Sequence, residues 1–342
     1  MQSDGVKNIR PLGFQWATSD PFLFCVHHED FYPAGKENMG PDPQLLAGRL
    51  LGQDFQLRDG WRMYHGTTVP GFPSHPHCGF ETVTIVRNGY IDHSDSMGGY
   101  GRFGKGDVQW MTAGRGVQHA EMFPLLHSDK GNPVELFQIW LNLPAAAKKA
   151  PPHYTMFWRE RIPVYRHHDS YGRETVADII AGQLYGRQAP SPPPDSWAAD
   201  PAHAVGIWHM LMEPGAEFTL PPAAAGVNRS LYFYKGKSLQ INGHAVEAYH
   251  AIDADARSSL KLVNGDKTGM LLVLQGKPIG EPVVQHGPFV TTTYAEIHEA
   301  IRNYQRTGFG GWPWPVNDPV HPRHRGRFAH YSDGKEENIS QE

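Results

Sequence analysis

The segment Thr82-Val-Thr-Ile-Val-Arg-Asn-Gly-Tyr90 decides the fold of the region around it. Its first five residues are all β-branched, which favours a strand, and Asn88-Gly89 is a strong signal for a tight hairpin turn. Short runs of the same kind, at residues 108–111 and 136–141, recur across residues 61–144 with Gly-containing turns between them. This pattern is typical of an antiparallel all-β sandwich or barrel.

The whole-chain composition favours two such β units. The chain has 342 residues, with 37 Gly and 29 Pro, and a length of about 150 residues per domain gives a prior of about two domains. Strand-like runs resume after the Pro-rich stretch Gln188-Ala-Pro-Ser-Pro-Pro-Pro-Asp195. We therefore predict an all-β chain in which this stretch is a linker or a long loop between two units.

Charge and cysteine content exclude several classes of function. The net charge is −4 and no block of five or six basic residues occurs, so we expect no direct binding to nucleic acid. The sequence contains no run of about 18 apolar residues, so it predicts no membrane span. Residues 1–10 lack the apolar core of a signal peptide. Cys25 and Cys78 cannot build a disulfide framework. These features predict a soluble cytoplasmic protein, or a nuclear one in a eukaryote.

A group of His and Glu residues predicts a metal site. In one continuous strand His75, His77 and Glu81 would point to the same face, since side chains alternate between faces. His119 and Glu121 repeat the two-residue spacing. Together the two pairs offer two or three imidazoles and a carboxylate, which is the donor set of oxygen-activating Fe(II) sites. Imidazole also binds Cu, Ni and Zn, so ligand type alone leaves the metal open.

The other histidines have plainer interpretations, because the chain contains 20 of them. Residues in adjacent pairs point to opposite faces of a strand, so we interpret His27-His28 and His167-His168 as surface or hydrogen-bonded side chains. We interpret His321, His324 and His330 as solvated surface in a Pro- and Arg-rich segment.

One helix is predicted near the C-terminus. Thr293 and Glu296 have the spacing of a capping box. Ile297 and Ile301 follow at helical spacing, and Gly308 is a suitable stop signal. The polar residues after about 331 are expected to be mobile.

Several motifs together resemble the pirin family of cupins. They are His75-Pro-His-Cys-Gly-Phe-Glu-Thr-Val83, Gly106-Asp-Val-Gln-Trp-Met-Thr-Ala-Gly114, His119-Ala-Glu-Met122 and Ile279-Gly-Glu-Pro-Val-Val-Gln-His-Gly-Pro-Phe-Val290. The resemblance implies two tandem cupin (jelly-roll β-barrel) domains with a short C-terminal helix. The expected divisions are a metal-binding domain at 1–187 with its core at about 61–144, a linker at 188–203, a degenerate cupin domain without metal at 204–310, and a tail at 311–342.

The resemblance also implies a ligand set. It assigns the metal to His75, His77, His119 and Glu121, with mononuclear Fe(II) as the expected ion and Ni, Cu, Mn or Zn as alternatives. It places Glu81 near the ion without binding it. Pirins usually have Arg where this chain has Cys78, and strand parity predicts that this thiol is buried and points away from the metal.

The function implied by the resemblance is that of a dioxygenase. Some pirins resemble quercetin 2,3-dioxygenases, which use dioxygen to open a flat aromatic flavonol, and Glu121 is then the candidate base. Apolar residues near the ligands could form the wall of the pocket or belong to the barrel core: Phe80, Trp110, Met111, Met122 and Phe123.

Two other functions are compatible with the same ligands. The first is an iron-dependent regulatory protein that binds a transcription factor or a metabolic enzyme as its protein partner, without turnover. The second is a cupin isomerase or a storage-type binder that uses the ion without oxygen. We expect a monomer in each case.

Overall fold

The computed structural model describes residues 5–339. Predictions that concern residues 1–4 and 340–342, at the start of the first expected domain and the end of the expected tail, lie outside the described residues. The strands are β1 (Val6–Pro11), β2 (Gln15–Trp16), β3 (Phe22–Tyr32), β4 (Gly71–His77), β5 (Phe80–Asn88), β6 (Tyr90–Asp95), β7 (Tyr100–Gly104), β8 (Val108–Thr112), β9 (Val117–Met122), β10 (Asn132–Asn142), β11 (His153–Phe157), β12 (Val164–His168), β13 (Glu174–Ala181), β14 (Gln183–Leu184), β15 (Arg187–Gln188), β16 (Gly206–Met212), β17 (Glu217–Leu220), β18 (Asn228–Lys235), β19 (Ser238–Ile241), β20 (His244–Glu247), β21 (His250–Asp255), β22 (Leu260–Asn264), β23 (Gly269–Gly276), β24 (Val284–His286), β25 (Phe289–Thr291), β26 (Arg327–His330) and β27 (Glu336–Ile339).

The helical elements are few and short. The α-helix α1 spans Tyr294–Thr307, and 3-10 turns occur at Pro43–Leu46, Arg159–Arg161, Trp197–Ala199, Pro201–His203 and Gly308–Gly310. The all-β class predicted from the strand-and-turn pattern is therefore confirmed. Over residues 5–339 no helix has both the length and the apolar character needed to span a membrane.

The chain divides into two compact units that are discontinuous in sequence. The first unit comprises Met1–Val26, Trp140–Pro144 and Glu160–Gly280. The second unit comprises His27–Ile139, Ala145–Arg159 and Glu281–Glu342. These bounds differ from the contiguous divisions expected from the sequence, because terminal segments supply strands to sheets that are distant in the chain.

In the first unit, two antiparallel sheets enclose an apolar core. One sheet has the strand order β1-β21-β18-β23-β16-β13-β12, and the other has the order β17-β22-β19-β20. Strand β1 pairs with β21, so that Ile9 lies opposite Ile252. Residues from both sheets meet in the core, which includes Trp208, Met210, Phe218, Phe233, Leu239, Leu262 and Leu271.

The expected linker at 188–203 lies inside this first unit. The Trp197 ring stacks on His203 at a centroid distance of 3.3 Å. Its indole N–H donates to the Lys277 carbonyl over 2.9 Å. The Pro-rich stretch is thus a structured loop of one unit, and the interpretation as a long loop was the better of the two alternatives.

The second unit is also a pair of antiparallel sheets. One has the order β27-β26-β7-β6-β9-β4, and the other has the order β11-β8-β5-β10-β3. Large side chains from both sheets fill the space between them: Tyr32, Phe103, Met111, Phe123, Leu136 and Trp158. In the first of these sheets β4 and β9 lie side by side, so their side chains can meet.

The segment expected to be a tail belongs to this sandwich. Strand β26 pairs with β7, and Phe328 and Ala329 are buried. The buried Arg102 guanidinium donates to both carboxylate oxygens of Asp92, at 2.6 and 2.8 Å. It also donates to the His321 carbonyl over 2.8 Å. Among the described residues of the expected tail at 311–342, β26 and β27 are thus part of a sheet, and strands of four residues are too short to be recognised by alternation.

Helix α1 forms as the sequence predicts. The Thr293 hydroxyl accepts from the Glu296 backbone N–H, and the Glu296 carboxylate accepts from the Thr293 N–H, which completes the capping box. Gly308 ends the helix in the left-handed conformation at φ 55°.

Candidate metal centre

Three imidazoles converge between β4 and β9. These strands are antiparallel, and His75 lies directly opposite His119. The Nε2 atom of His75 lies 3.1 Å from Nε2 of His77 and 3.0 Å from Nε2 of His119. A register shift between Phe72 and His75 bends β4 at this point, as bulges next to functional sites often do.

Glu121 lies beside the three imidazoles. Its Oε2 atom lies 3.6 Å from Nε2 of His119. The side-chain amide of Gln138 donates to Oε2 over 2.7 Å, and the Thr84 hydroxyl donates to Oε1 over 3.4 Å. These contacts fix the carboxylate in one orientation toward the imidazoles.

The spacing of the three imidazoles fits a single metal ion. Ligands held at about 2.0–2.1 Å from a common ion lie about 3.0–3.4 Å from one another in octahedral or tetrahedral geometry. The Nε2 contacts of His75 match that range, and one ligand atom from each of the three histidines lies within 4.8 Å of the others. The donors present therefore fit a divalent ion, and ligand type does not select which one.

Burial keeps the imidazoles in the state that binds metals. Desolvation lowers the pKa of His75 to about 4 and lowers the pKa of His77 and His119 well below the usual value. The Nδ1 atom of His75 lies 2.8 Å from the Pro73 carbonyl, which can only accept, so Nδ1 carries the proton and leaves Nε2 as the donor to metal. Burial also raises the pKa of Glu121, although the Gln138 hydrogen bond opposes the shift.

Glu81 does not share a strand with the two histidines. Cys78 and Gly79 separate β4 from β5, and the two strands belong to different sheets. The strand-parity expectation for Glu81 assumed one continuous strand from His75 to Glu81, and that assumption is wrong. The Glu81 carboxylate is fully buried and accepts from the Thr112 hydroxyl over 2.7 Å.

The Cys78 side chain is buried, as strand parity suggested. Its thiol donates to the Gly114 carbonyl over 3.5 Å. It belongs to an apolar cluster with Phe289, Ile297, Ala300 and Phe309.

A cavity of about 30 Å³ adjoins the histidines. This volume holds one or two molecules of the size of water or dioxygen, whereas drug-sized ligands need several hundred Å³. Its lining is His28, Phe72, His75, Ile91, Glu121, Phe123, Leu136 and Gln138.

Of the candidate wall residues, Phe123 lines this cavity and the other four do not. Phe80 packs edge-on against His77 at 5.1 Å between ring centroids, and so supports the orientation of that imidazole. Trp110 packs against Phe157, while Met111 and Met122 are fully buried.

Sequence reasoning missed the polar groups behind the cavity. Nδ1 of His28 lies 2.8 Å from the Tyr64 hydroxyl, which donates to Asp30 over 2.6 Å. Arg62 donates to the other oxygen of Asp30 over 3.1 Å.

The interpretation of His321 as solvated surface is wrong, because this side chain is buried with Nε2 3.0 Å from the His93 carbonyl. No local pattern signals these pairs, since each joins residues far apart in the chain.

The fold and the site together define a class of protein. Two antiparallel β-sandwich units, one of them with three histidines and a glutamate grouped on neighbouring strands, are the architecture of a two-domain cupin protein. The model of the Pirin family matches residues 49–141, and that of the Pirin C-terminal cupin domain matches residues 207–310. The chain belongs to the pirin family.

Proteins of similar sequence and structure agree with this assignment. A protein of Vibrio cholerae named "Putative quercetin 2,3-dioxygenase" is 38% identical over 90% of this chain and 92% of its own. Human pirin is 32% identical over 72% of this chain and 80% of its own. A crystal structure described as quercetin 2,3-dioxygenase from Acinetobacter baumannii is 27% identical, covers 90% of this chain and 96% of its own, and superposes with a TM-score of 0.67.

Proposed function

We propose that this chain is a mononuclear metal-dependent dioxygenase of the quercetin 2,3-dioxygenase type, which uses dioxygen to open the central ring of a flavonol. The observation that carries the proposal is the convergence of His75, His77 and His119 beside a small cavity, with Glu121 next to His119. A relative and a structural neighbour that bear the quercetin 2,3-dioxygenase name support it.

The histidines, Glu121 and Gln138 would have different roles in this reaction. The neutral imidazoles of His75, His77 and His119 would hold Fe(II), which when bound would supply Lewis acidity and a template for substrate and dioxygen. Glu121 would accept the proton of the flavonol 3-hydroxyl. The Gln138 amide would hold that carboxylate in place.

Access of a flavonol requires the side chain of Phe72 to move. This ring lines the cavity and packs against His75 at 6.2 Å and against Tyr64 at 5.1 Å between centroids. On its other side it meets Phe55 at 6.4 Å, and Phe55 is 37% exposed. Because Phe55 reaches solvent, displacing the two rings would open a path with aromatic walls, suited to a flat substrate.

The test is turnover by protein loaded anaerobically with Fe(II). Quercetin and air should give oxygen uptake together with loss of the flavonol absorbance. Glu121→Gln should lower kcat at least about 100-fold, in the range of a lost general base. His168→Ala, a substitution of an exposed histidine in the first unit, is the matched control and should keep full activity. Full activity in Glu121→Gln would remove the assigned base.

A second candidate function is favoured by the size of the cavity. A volume of about 30 Å³ suits an ion with small ligands better than a flavonol. The same centre would then serve an iron-dependent regulatory protein without turnover. Phe72→Ala separates the two functions: faster flavonol turnover than in the parent supports the dioxygenase. Absence of turnover in both proteins, with the metal retained, supports the regulatory role.

A further inference from the structure

A second cleft, of about 540 Å³, lies in the same unit but shares no lining residue with the metal centre. It is bounded by the Cys78–Gly79 turn between β4 and β5, by the end of β25 and by one face of α1. A cleft of this volume falls in the range of sites for small organic ligands.

The lining of this cleft is strongly cationic, in a chain whose net charge is −4. Its positive side chains are Arg115, Lys148, Lys149, Arg302 and Arg306, and its carboxylates are Glu296 and Glu299. Both carboxylates have other partners.

Glu296 is occupied by the helix cap, where its Oε2 atom accepts from Thr292 and Thr293. Glu299 lies 4.0 Å from the Lys149 amine. Neither carboxylate therefore neutralises the arginines of the cleft.

Two of the arginines have no counter-ion of their own. Within residues 5–339, the Arg115 and Arg302 guanidinium groups have no hydrogen-bond or ion-pair partner, and both residues are exposed. Arg302 and Arg306 are four residues apart on α1, a spacing at which like charges destabilise a helix. A bound anion would offset that cost.

Lys148 provides a buried cation at the floor of the cleft. Its side chain is 7% exposed, and its amine donates to the Gly79 carbonyl over 2.9 Å. Burial lowers its pKa to about 8, so the amine is still mostly protonated at neutral pH. Gly79 has φ +86°, and a Cβ there would meet the Val290 carbonyl at 1.8 Å, so this turn needs glycine to approach β25.

Most of the accessible surface of the cleft lining is apolar. The long side chains of its arginines and lysines contribute aliphatic stems, and Ala300 lies among the lining residues. An inorganic anion would leave these walls unused, and a neutral aromatic molecule would leave the arginines unpaired. The combination matches a ligand with a flat apolar body and one carboxylate.

We propose that this cleft is a binding site for a small aromatic carboxylate, whose charge is held by Arg115, Arg302 and the Lys148 amine and whose ring lies against Ala300 and the aliphatic stems of the arginines. Arginine suits such a ligand because its planar guanidinium can pair with a carboxylate and stack on a ring. The site is separate from the metal centre, so binding should not require a metal.

Calorimetric titration with 1-naphthoate tests the proposal. We expect saturable binding by the full chain, at least about tenfold tighter than for neutral 1-naphthylmethanol or inorganic phosphate. Treatment with a chelator should leave the Kd unchanged. Binding that disappears with the chelator would place the ligand at the metal centre and overturn the assignment.

Variants of the cleft sharpen the test. Arg115→Gln combined with Arg302→Gln should weaken naphthoate binding at least about tenfold, whereas Arg187→Gln, at an exposed arginine of β15 in the first unit, should not. Asn303→Trp, which adds a bulky ring to the lining while leaving the cations, should also weaken binding. Unchanged affinity in both cleft variants, with unchanged melting temperatures, would refute the site.

Discussion

The Nε2 atom of His119 lies 3.0 Å from Nε2 of His75, although the two residues are 44 positions apart. The antiparallel pairing of β4 with β9 alone brings them together. Because His119 would supply one of the three clustered imidazole donors, we expect His119→Ala to lower the affinity for Fe(II) at least about 100-fold, more than the loss of a supporting hydrogen bond would. Metal content after dialysis against a weak chelator measures this.

A control for this experiment is a variant that lacks a histidine far from the candidate metal site. His168→Ala removes an exposed imidazole in the first unit and should leave the metal content at the parent level. Equal metal content in His119→Ala and the parent would show that the ion is held elsewhere.

Gln138 should support the metal without touching it. Its amide holds Glu121 over 2.7 Å, and removal of such outer partners typically costs 10–100-fold in metal affinity. We expect Gln138→Leu to lower the affinity by about that factor, while Gln138→Glu should also lower it by placing a second carboxylate against Glu121. An Fe(II) titration of each variant checks both, and affinity equal to that of the parent would mean that Glu121 needs no support.

Local patterns identified the candidate ligands because the residues concerned are concentrated in short spans. The two-residue spacing of His75 with His77, and of His119 with Glu121, is enough to place each pair on one face of a strand. The capping box of Thr293 and Glu296 is likewise local, and the helix it predicts is present.

The features that the sequence could not predict depend on contacts between strands that are distant in the chain. The break at Gly79, which moves Glu81 into the other sheet, is a matter of backbone conformation. The cavity wall draws on His28 and Gln138 from β3 and β10, which no motif connects to the ligands. The role of the C-terminal segment depends on Arg102, whose partners lie about 220 residues further along the chain.

Arg102 should be essential to the stability of the second unit. It forms a fully buried ion pair with Asp92 and donates to backbone carbonyls of the C-terminal segment. Arg102→Leu would leave the Asp92 carboxylate buried without its partner, so we expect a loss of about 3–5 kcal/mol in the free energy of unfolding. Urea denaturation measures the loss, and limited proteolysis should show cleavage within residues 321–339.

An exposed ion pair is the control for this prediction. Arg257 pairs with Asp255 at 2.9 Å in the first unit, and its side chain is 71% exposed. Because solvent screens such a pair, Arg257→Leu should leave the unfolding midpoint unchanged. A similar response of both variants would argue against a special role for the buried pair.

Asp30 should make stability depend on pH in an unusual direction. Burial raises the pKa of this carboxyl to about 6, even though the Tyr64 hydroxyl and Arg62 favour its ionised form. The unfolded chain has a value near 3.9, so between about pH 4 and pH 6 the folded state binds the proton more tightly. The contribution of Asp30 to stability is therefore present below pH 4 and is lost as pH rises through about 6.

Asp30→Asn isolates this effect because the amide does not titrate. The free energy of unfolding of the parent, minus that of Asp30→Asn, should fall by about 2–3 kcal/mol between pH 4 and pH 7, given about 1.36 kcal/mol per pKa unit. Tyr64→Phe keeps the ring but removes the hydroxyl that favours the ionised carboxylate, so it should move the window to higher pH. A difference that stays constant, or that rises with pH, would mean that Asp30 is ionised in the folded chain throughout this range.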